Sequence, residues 1–354
     1  MNLKPMLLTI CALLPACAAS AQQITPAYHP RTLVTGVIRN NGSGFAGLLA
    51  MWEEGFRKYQ PGITFKDSLL SGDAAIEAVE AGAADLAING REPVLTEYLS
   101  FAEVFNNDGP FQVTVATGSD HILGRTWAQV IFVNAENPLT HLTMKQLDGI
   151  FGAERTGGYR GYKWTSELAR PASENIRTWG QLGLKGDWAN KPIQTYGYAP
   201  TGMSNFFELA VFHGGTKWNP NLKQYVEASA KQATDRAGTT DAMMDALEHD
   251  RYGIVWAGLA HASGHPRVKA LALGISDAGP FLACTRANVE ARTYPLTRSI
   301  FIQLNRPPGK AIEPRLKEFL AYILSSEGQQ AVRRQGEYLP LPEAELQRQR
   351  SALE

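Results

Sequence analysis

Arg39-Asn40-Asn41-Gly42-Ser43-Gly44-Phe45-Ala46-Gly47 joins the apolar run 33–38 to a segment in which Phe45, Leu48, Leu49, Trp52, Phe56 and Tyr59 recur at helical spacing, until Pro61-Gly62 ends the pattern. The stretch predicts a strand, a glycine turn and a helix N-terminus. In that arrangement unpaired backbone N–H groups and the Ser43 hydroxyl converge on an anion. The spacing Gly42-x-Gly44-x-x-Gly47 also satisfies the dinucleotide-binding pattern, with Asp67 just after the strand-like run 63–66. This supplies the alternative reading, an exported dinucleotide-dependent oxidoreductase.

Working outward, the N-terminus has the three regions of a secretory leader: Lys4, the apolar run 6–14, and Ala19-Ser20-Ala21. Residues 1–21 are expected to be cleaved, giving a mature chain from Gln22 in the periplasm. Leu14-Pro15-Ala16-Cys17 also has the outline of a lipoprotein site, which leaves open a lipid-anchored form through Cys17. Loss of the leader removes Cys11 and Cys17 and leaves Cys284, so no internal disulfide forms. It also removes Lys4, leaving 33 basic against 34 acidic residues. With no Lys/Arg run and a net charge of only −1 (33 − 34), the composition argues against a nucleic-acid partner.

The layout of strand, polar turn and helix repeats along the chain. Run 63–66 leads through Ser71-Gly72 to a helix carrying Ala75, Ile76 and Val79. Run 84–88 delivers Asn89-Gly90-Arg91 to a third loop. Alternation of this kind predicts an α/β fold with largely parallel sheets and a ligand crevice beyond the strand C-termini. Runs 111–116 and 128–133 are strand-like, 143–151 reads as a helix, and 155–175 is a Gly/Tyr/Arg-rich insertion read as a surface loop or flap. A further unit follows: a run at 192–196, the turn Thr201-Gly202-Met203-Ser204, and a helix bearing Phe206, Phe207, Ala210 and Val211. Strands are expected at 252–258, 268–273 and 294–302, with a long amphipathic helix over 312–332, bent or broken near Gly328. The chain thus starts and ends in one domain (22–127 and 272–354) and visits a second (128–271), with a hinge and a ligand cleft between them.

These residues resemble the periplasmic phosphate-binding proteins of ABC phosphate importers, within the type 2 periplasmic-binding-protein fold. The likeness covers most of the mature chain. It rests on the loop 42–45, Ser71-Gly72, Ala84-Asp85 followed by Arg91, Asn137-Pro138-Leu139 with Leu142-Thr143 and Gln146-Leu147, and Ile150-Phe151. It also rests on Trp179 with Leu182, Thr201-Gly202-Met203-Ser204, Tyr294-Pro295-Leu296-Thr297-Arg298 and Ser325-Ser326-Glu327-Gly328-Gln329. The resemblance implies a monomeric receptor that binds phosphate or a similar small oxyanion and serves ABC importer membrane subunits, without cofactor, metal or catalysis. Its site would be made of Gly42, Ser43, Gly44, Phe45, Ser71, Gly72, Gly90, Arg91, Thr201, Gly202, Met203 and Ser204. A receptor for another small anion, serving sensing rather than transport, is a second alternative.

The chain departs from the family pattern at several points. Gly197 stands where the family commonly has an arginine, Thr201 and Met203 replace the serine and threonine of Ser-Gly-Thr, and Gly90 replaces a serine. Several loops must therefore act together. Binding at ~1 μM needs about 8 kcal/mol, one helix N-terminus supplies at most ~2 kcal/mol, and each charge-assisted hydrogen bond adds ~1.5–3 kcal/mol. Metal and enzyme motifs are missing: there is no His-Glu-x-x-His, no paired Cys-x-x-Cys and no Gly-x-Ser-x-Gly. His213, His261 and His265 read as surface or core residues.

Overall fold

The computed structural model describes residues 25–199, 202–226 and 239–354. The expected leader, Cys17 and Thr201 lie outside the described residues. The chain first runs through β1 (Gly36–Gly42), α1 (Leu48–Arg57), β2 (Ile63–Ser68), α2 (Ala75–Glu80), β3 (Leu86–Asn89), α3 (Leu95–Phe105) and β4 (Phe111–Thr117). It continues through β5 (Gln129–Asn134), β6 (His141–Thr143), α4 (Met144–Phe151), β7 (Gly158–Arg160), β8 (Lys163–Thr165), β9 (Gln194–Tyr198), α5 (Gly202–Val211), β10 (Lys223–Tyr225) and α6 (Thr239–His249). After β11 (Gly253–Gly258), β12 (Val268–Ala270), β13 (Ala272–Gly274) and α7 (Arg286–Glu290), it closes with β14 (Ser299–Leu304), α8 (Pro314–Ile323), α9 (Ser326–Gln335) and α10 (Glu343–Ala352).

Two five-stranded sheets result, ordered β2-β1-β3-β14-β4 and β10-β9-β11-β5-β12. Each has its own core. Ile38, Leu48, Trp52 and Phe56 pack with Ile302, Phe319 and Val332 in the first. Ile131, Phe151, Phe207 and Trp256 pack with Leu273 and Leu296 in the second. The apolar face of α1 is fully buried, and the Trp52 indole N–H is satisfied by the Gly328 carbonyl at 2.9 Å.

The sheets are mixed rather than largely parallel. β1 pairs in parallel with β2 and β3, but β14 enters antiparallel to both β3 and β4, and β5 lies antiparallel to β11 and β12. Strands arriving from the crossovers run against the βα units, a reversal that no local pattern encodes. The expected single strand 268–273 is two, because β12 pairs with β5 and β13 with β6. Leu273, Cys284, Val289, Tyr294 and Leu296 all pack in the second core, so the chain rejoins the first sheet at β14, later than the expected 272. The long C-terminal helix is broken near Gly328, as expected, into α8 and α9, and the Ser325 hydroxyl caps α9 by accepting from Gly328 N–H.

β1 also runs farther than its apolar run, through Arg39, Asn40 and Asn41 to Gly42, because β2 and β3 pair with it on either side. Its polar side chains are spent on partners. Arg39 meets Asp85 at 2.6 Å, and the Asn40 amide donates to Glu53 at 2.9 Å and to Asp67 at 3.0 Å. Burial first, and the neighbouring Asp67 carboxylate second, push the Glu53 carboxyl up to about 8. A carboxyl raised in the folded state keeps its proton there while the unfolded chain loses it. Stability should therefore fall as pH rises from the ordinary carboxylate range toward 8, at up to about 1.4 kcal/mol per pH unit. Chemical denaturation of wild type and Glu53→Gln at pH 5, 6.5 and 8 should show that slope in wild type and its flattening in the variant. Parallel curves would exclude a buried neutral Glu53.

Candidate functional site

The loops after β1 and β3 and the turn before α2 meet at one edge of the first sheet, and the start of α5 faces them from the second. In the first loop Gly42 has φ 130°, a left-handed conformation, and lies so close to β3 that a Cβ would stand 2.1 Å from the Ile88 carbonyl oxygen. Ser43 N–H donates to that same carbonyl at 2.9 Å, and the Ser43 hydroxyl accepts from Phe45 N–H at 3.3 Å while keeping its own proton to donate. Gly44 follows, with Leu69 beside it. Phe45 and Ala46 take positive φ in a short 3-10 turn, with the Phe45 ring buried against Tyr338 at 5.7 Å. α1 therefore begins at Leu48, past Gly47, rather than at the Ser43 turn, and Asp67 is bonded to Asn40. The dinucleotide reading thus lacks a helix N-terminus at Gly42 or Gly44, since α1 is capped only at Gly47, and one Asp67 oxygen is already taken by Asn40.

In the second loop the Ser71 hydroxyl accepts from Asp73 N–H at 3.1 Å, again leaving its proton available. Buried Asn89 ties loops two and three together. Its amide donates to the Gly72 carbonyl at 3.0 Å and its carbonyl accepts from Arg91 N–H at 3.3 Å. Gly90 packs so tightly on Thr126 that a Cβ would lie 2.3 Å from its hydroxyl oxygen, and the Gly90 carbonyl accepts from Arg298 at 3.1 Å.

Arg91 is the centre of this edge, but its charge is already committed. It is 7% exposed and binds Glu97 through both terminal nitrogens, at 2.7 and 2.6 Å. Its Nε lies 3.3 Å from Asp73 Oδ1. Glu97 is itself buried and fixes the start of α3 by accepting from Val94 N–H at 2.7 Å. Asp73 and Glu97 were absent from the expected set. Glu97 had a sequence signal, an acidic residue in the first turn of a helix three positions past Val94; an acidic residue beside a Ser-Gly turn is too common to single out Asp73.

From the second sheet, a Cβ on Gly202 would stand 3.0 Å from Arg91 Cδ and 4.0 Å from Asp73 Oδ1, so this glycine brings the start of α5 onto the first-sheet loops. Two neighbours in the expected set turn inward. Ser204 donates its hydroxyl to the Ala199 carbonyl at 3.0 Å, and Met203 is buried, with its carbonyl accepting from Gln129 at 2.8 Å. Asn205 reaches across to the Glu92 carbonyl at 3.3 Å, and Arg298 lies over the Phe206 ring, 5.6 Å from its centroid. Burial raises the Glu92 carboxyl above its ordinary range, against the opposing pull of Arg298, Arg292 and Arg91. The expected position of a family arginine, Gly197, is filled by Trp256: a Cβ there would meet the indole nitrogen at 2.4 Å.

The insertion 155–175, expected as a surface loop or flap, carries a short β7–β8 hairpin over 158–165 followed by 3-10 turns. Its base is held by Asp148, which takes two bonds from Arg155 at 2.7 Å. Its tip residue, Tyr162, stacks on Tyr98 of α3 with centroids 3.9 Å apart and donates its hydroxyl to the Pro93 carbonyl at 2.8 Å. The hairpin therefore spans from the second unit to the first beside Arg91.

Residues 26–327 match the PBP superfamily domain model. Two proteins named phosphate-binding protein PstS, from Pseudomonas aeruginosa strains PAO1 and UCBPP-PA14, are each 30% identical over 326 residues, covering 92% of this chain and 89% of theirs. The crystal structure of PstS from Borrelia burgdorferi matches 86% of this chain and 99% of its own with a TM-score of 0.50 and 15% identity, a likeness of fold.

Proposed function

Because the chain belongs to the phosphate-binding proteins of the periplasmic-binding-protein superfamily, we propose that it is an exported receptor that holds one phosphate between its two sheets. One observation carries the placement: Gly202, at the start of α5, lies against the Arg91–Asp73 pair of the first sheet. In this reading the Ser43 and Ser71 hydroxyls, the first N–H groups of α5 and Arg91 would contact the anion. Thr201, which lies outside the described residues, joins this set on the sequence resemblance alone. The residues bind and orient; no nucleophile–base pair is placed in the reading.

The hinge is the pair of crossovers between the sheets, which lie side by side. Gly118 N–H donates to the Arg298 carbonyl at 2.9 Å and Gln129 N–H to the Leu296 carbonyl at 3.0 Å. Opening at this seam would separate α5 from Arg91 and release the Tyr162 clasp. The same reading assigns the leader to export into the periplasm and gives a monomer that delivers phosphate to ABC importer membrane subunits. Among the described residues no helix is long and apolar enough to cross a membrane.

Calorimetry of the mature protein should give one phosphate per chain at micromolar affinity or tighter. Small-angle scattering should give a smaller radius of gyration with saturating phosphate. Heat with NADH and none with phosphate would reverse the reading, and an unchanged scattering curve with binding confirmed would remove the closure step.

A further inference from the structure

We propose that His265, Asp245 and Glu248 form a binding site for a divalent transition-metal cation, with Asp241 as the residue that orients the imidazole. The three acidic residues stand at positions 241, 245 and 248 of α6, spacings of four and three that place them on one face of the helix. His265 comes to that face from the connection between β11 and β12 and is 6% exposed. Its Nδ1 lies 3.3 Å from Asp245 Oδ1 and 3.4 Å from Glu248 Oε2, and one ligand atom from each of the three falls within 4.8 Å of the others.

These separations fit a cation. Metal bonds of ~2.0–2.2 Å place adjacent ligands of a tetrahedral site roughly 3.3–3.6 Å apart. The surroundings supply the supports that metal ligands use. His265 Nε2 lies 2.9 Å from Asp241 Oδ1, the carboxylate–histidine–metal arrangement that fixes the tautomer and leaves Nδ1 to coordinate. The second oxygen of Glu248 is held by Arg267 N–H at 2.8 Å, which directs Oε2 toward His265. Asp245 is exposed and gives the ion a path from solvent. One imidazole and two carboxylates suit Zn²⁺, Co²⁺ or Mn²⁺ rather than a thiolate-seeking ion, with water completing the shell. Bound there, the cation would staple α6 to the β11–β12 connection.

The test is titration of the mature protein with ZnCl2 in phosphate-free buffer, read by calorimetry against a competing chelator and by thermal denaturation. The expected result is one zinc per chain and a Tm rise of about 5 °C at a hundredfold excess over Kd. Glu248→Gln and Asp245→Asn should each weaken binding more than about tenfold, and Asp241→Asn about tenfold through loss of orientation. His249→Ala, at the exposed end of the same helix, should leave it unchanged. Asp245→Asn alters an exposed residue, so it decides the matter if His265 variants do not fold. No binding by wild type overturns the proposal and makes the cluster an imidazolium held by three carboxylates. Undiminished binding in both carboxylate variants, or equal loss in His249→Ala, overturns it by placing the ion elsewhere.

Discussion

Arg91→Ala should lower the melting temperature by on the order of 10 °C and weaken phosphate binding at least tenfold, and a second substitution should restore the first property but not the second. Arg91 and Glu97 are both buried and joined by two short hydrogen bonds. Removing the guanidinium leaves a carboxylate with no water and no counter-charge, a loss of about 3–5 kcal/mol. At roughly 2–4 °C per kcal/mol for a chain of this size class, that is the stated shift. Arg91→Ala/Glu97→Gln removes the stranded charge while keeping an acceptor for Val94 N–H, so it should regain half or more of the lost stability. It cannot regain the cation. Thermal denaturation and calorimetry on the two variants separate the roles. A double variant no more stable than the single one would mean that Glu97 is not stranded by the loss of Arg91, and wild-type affinity in either would move the anion away from this edge.

The architecture was legible where local pattern and tertiary demand agree. The apolar positions of α1 and α5 and the runs that became β4, β5 and β11 were all read from periodicity and turn residues. What failed was what pairing decides at long range. β1 continues through four polar and small residues because β2 and β3 flank it, and β12 and β13 separate because their partners differ. At the site, the sequence pointed to Ser43, Ser71, Arg91 and Gly202 as loop residues, and the structure gathers Ser71, Arg91 and Gly202 around Asp73 and keeps Ser43 in the loop after β1, bonded to Ile88 of β3. It could not show which partners had already claimed them. Ser204 is turned to its own backbone, and Arg91 is paired twice. Hydrogen-bond satisfaction of a buried group depends on neighbours far away in the chain, so residue type alone marks a candidate and not its availability.

Asp73 sets the last expectation, because a carboxylate at an anion site must be reconciled with its ligand. Its Oδ1 is 3.3 Å from Arg91 Nε and faces the start of α5, within reach of anything held between them. Two negative groups at hydrogen-bond distance repel unless one brings a proton to share. Phosphate retains at least one O–H between pH 6 and 8 and can donate it to Asp73; sulfate has none. Wild type should therefore prefer phosphate over sulfate by about two to four orders of magnitude, on the order of 3–5 kcal/mol, since a site built around a donor rejects an analogue that lacks it. Asp73→Asn offers an amide N–H in place of the carboxylate. It should narrow the ratio at least tenfold, mainly by admitting sulfate. The side chain is 82% exposed, so the substitution should change stability little and the effect can be read as recognition. Competition calorimetry with both anions supplies the ratio. Equal affinity for phosphate and sulfate in wild type, or an unchanged ratio in Asp73→Asn, would show that Asp73 does not touch the ligand and that the anion lies on the Ser43 side of the edge.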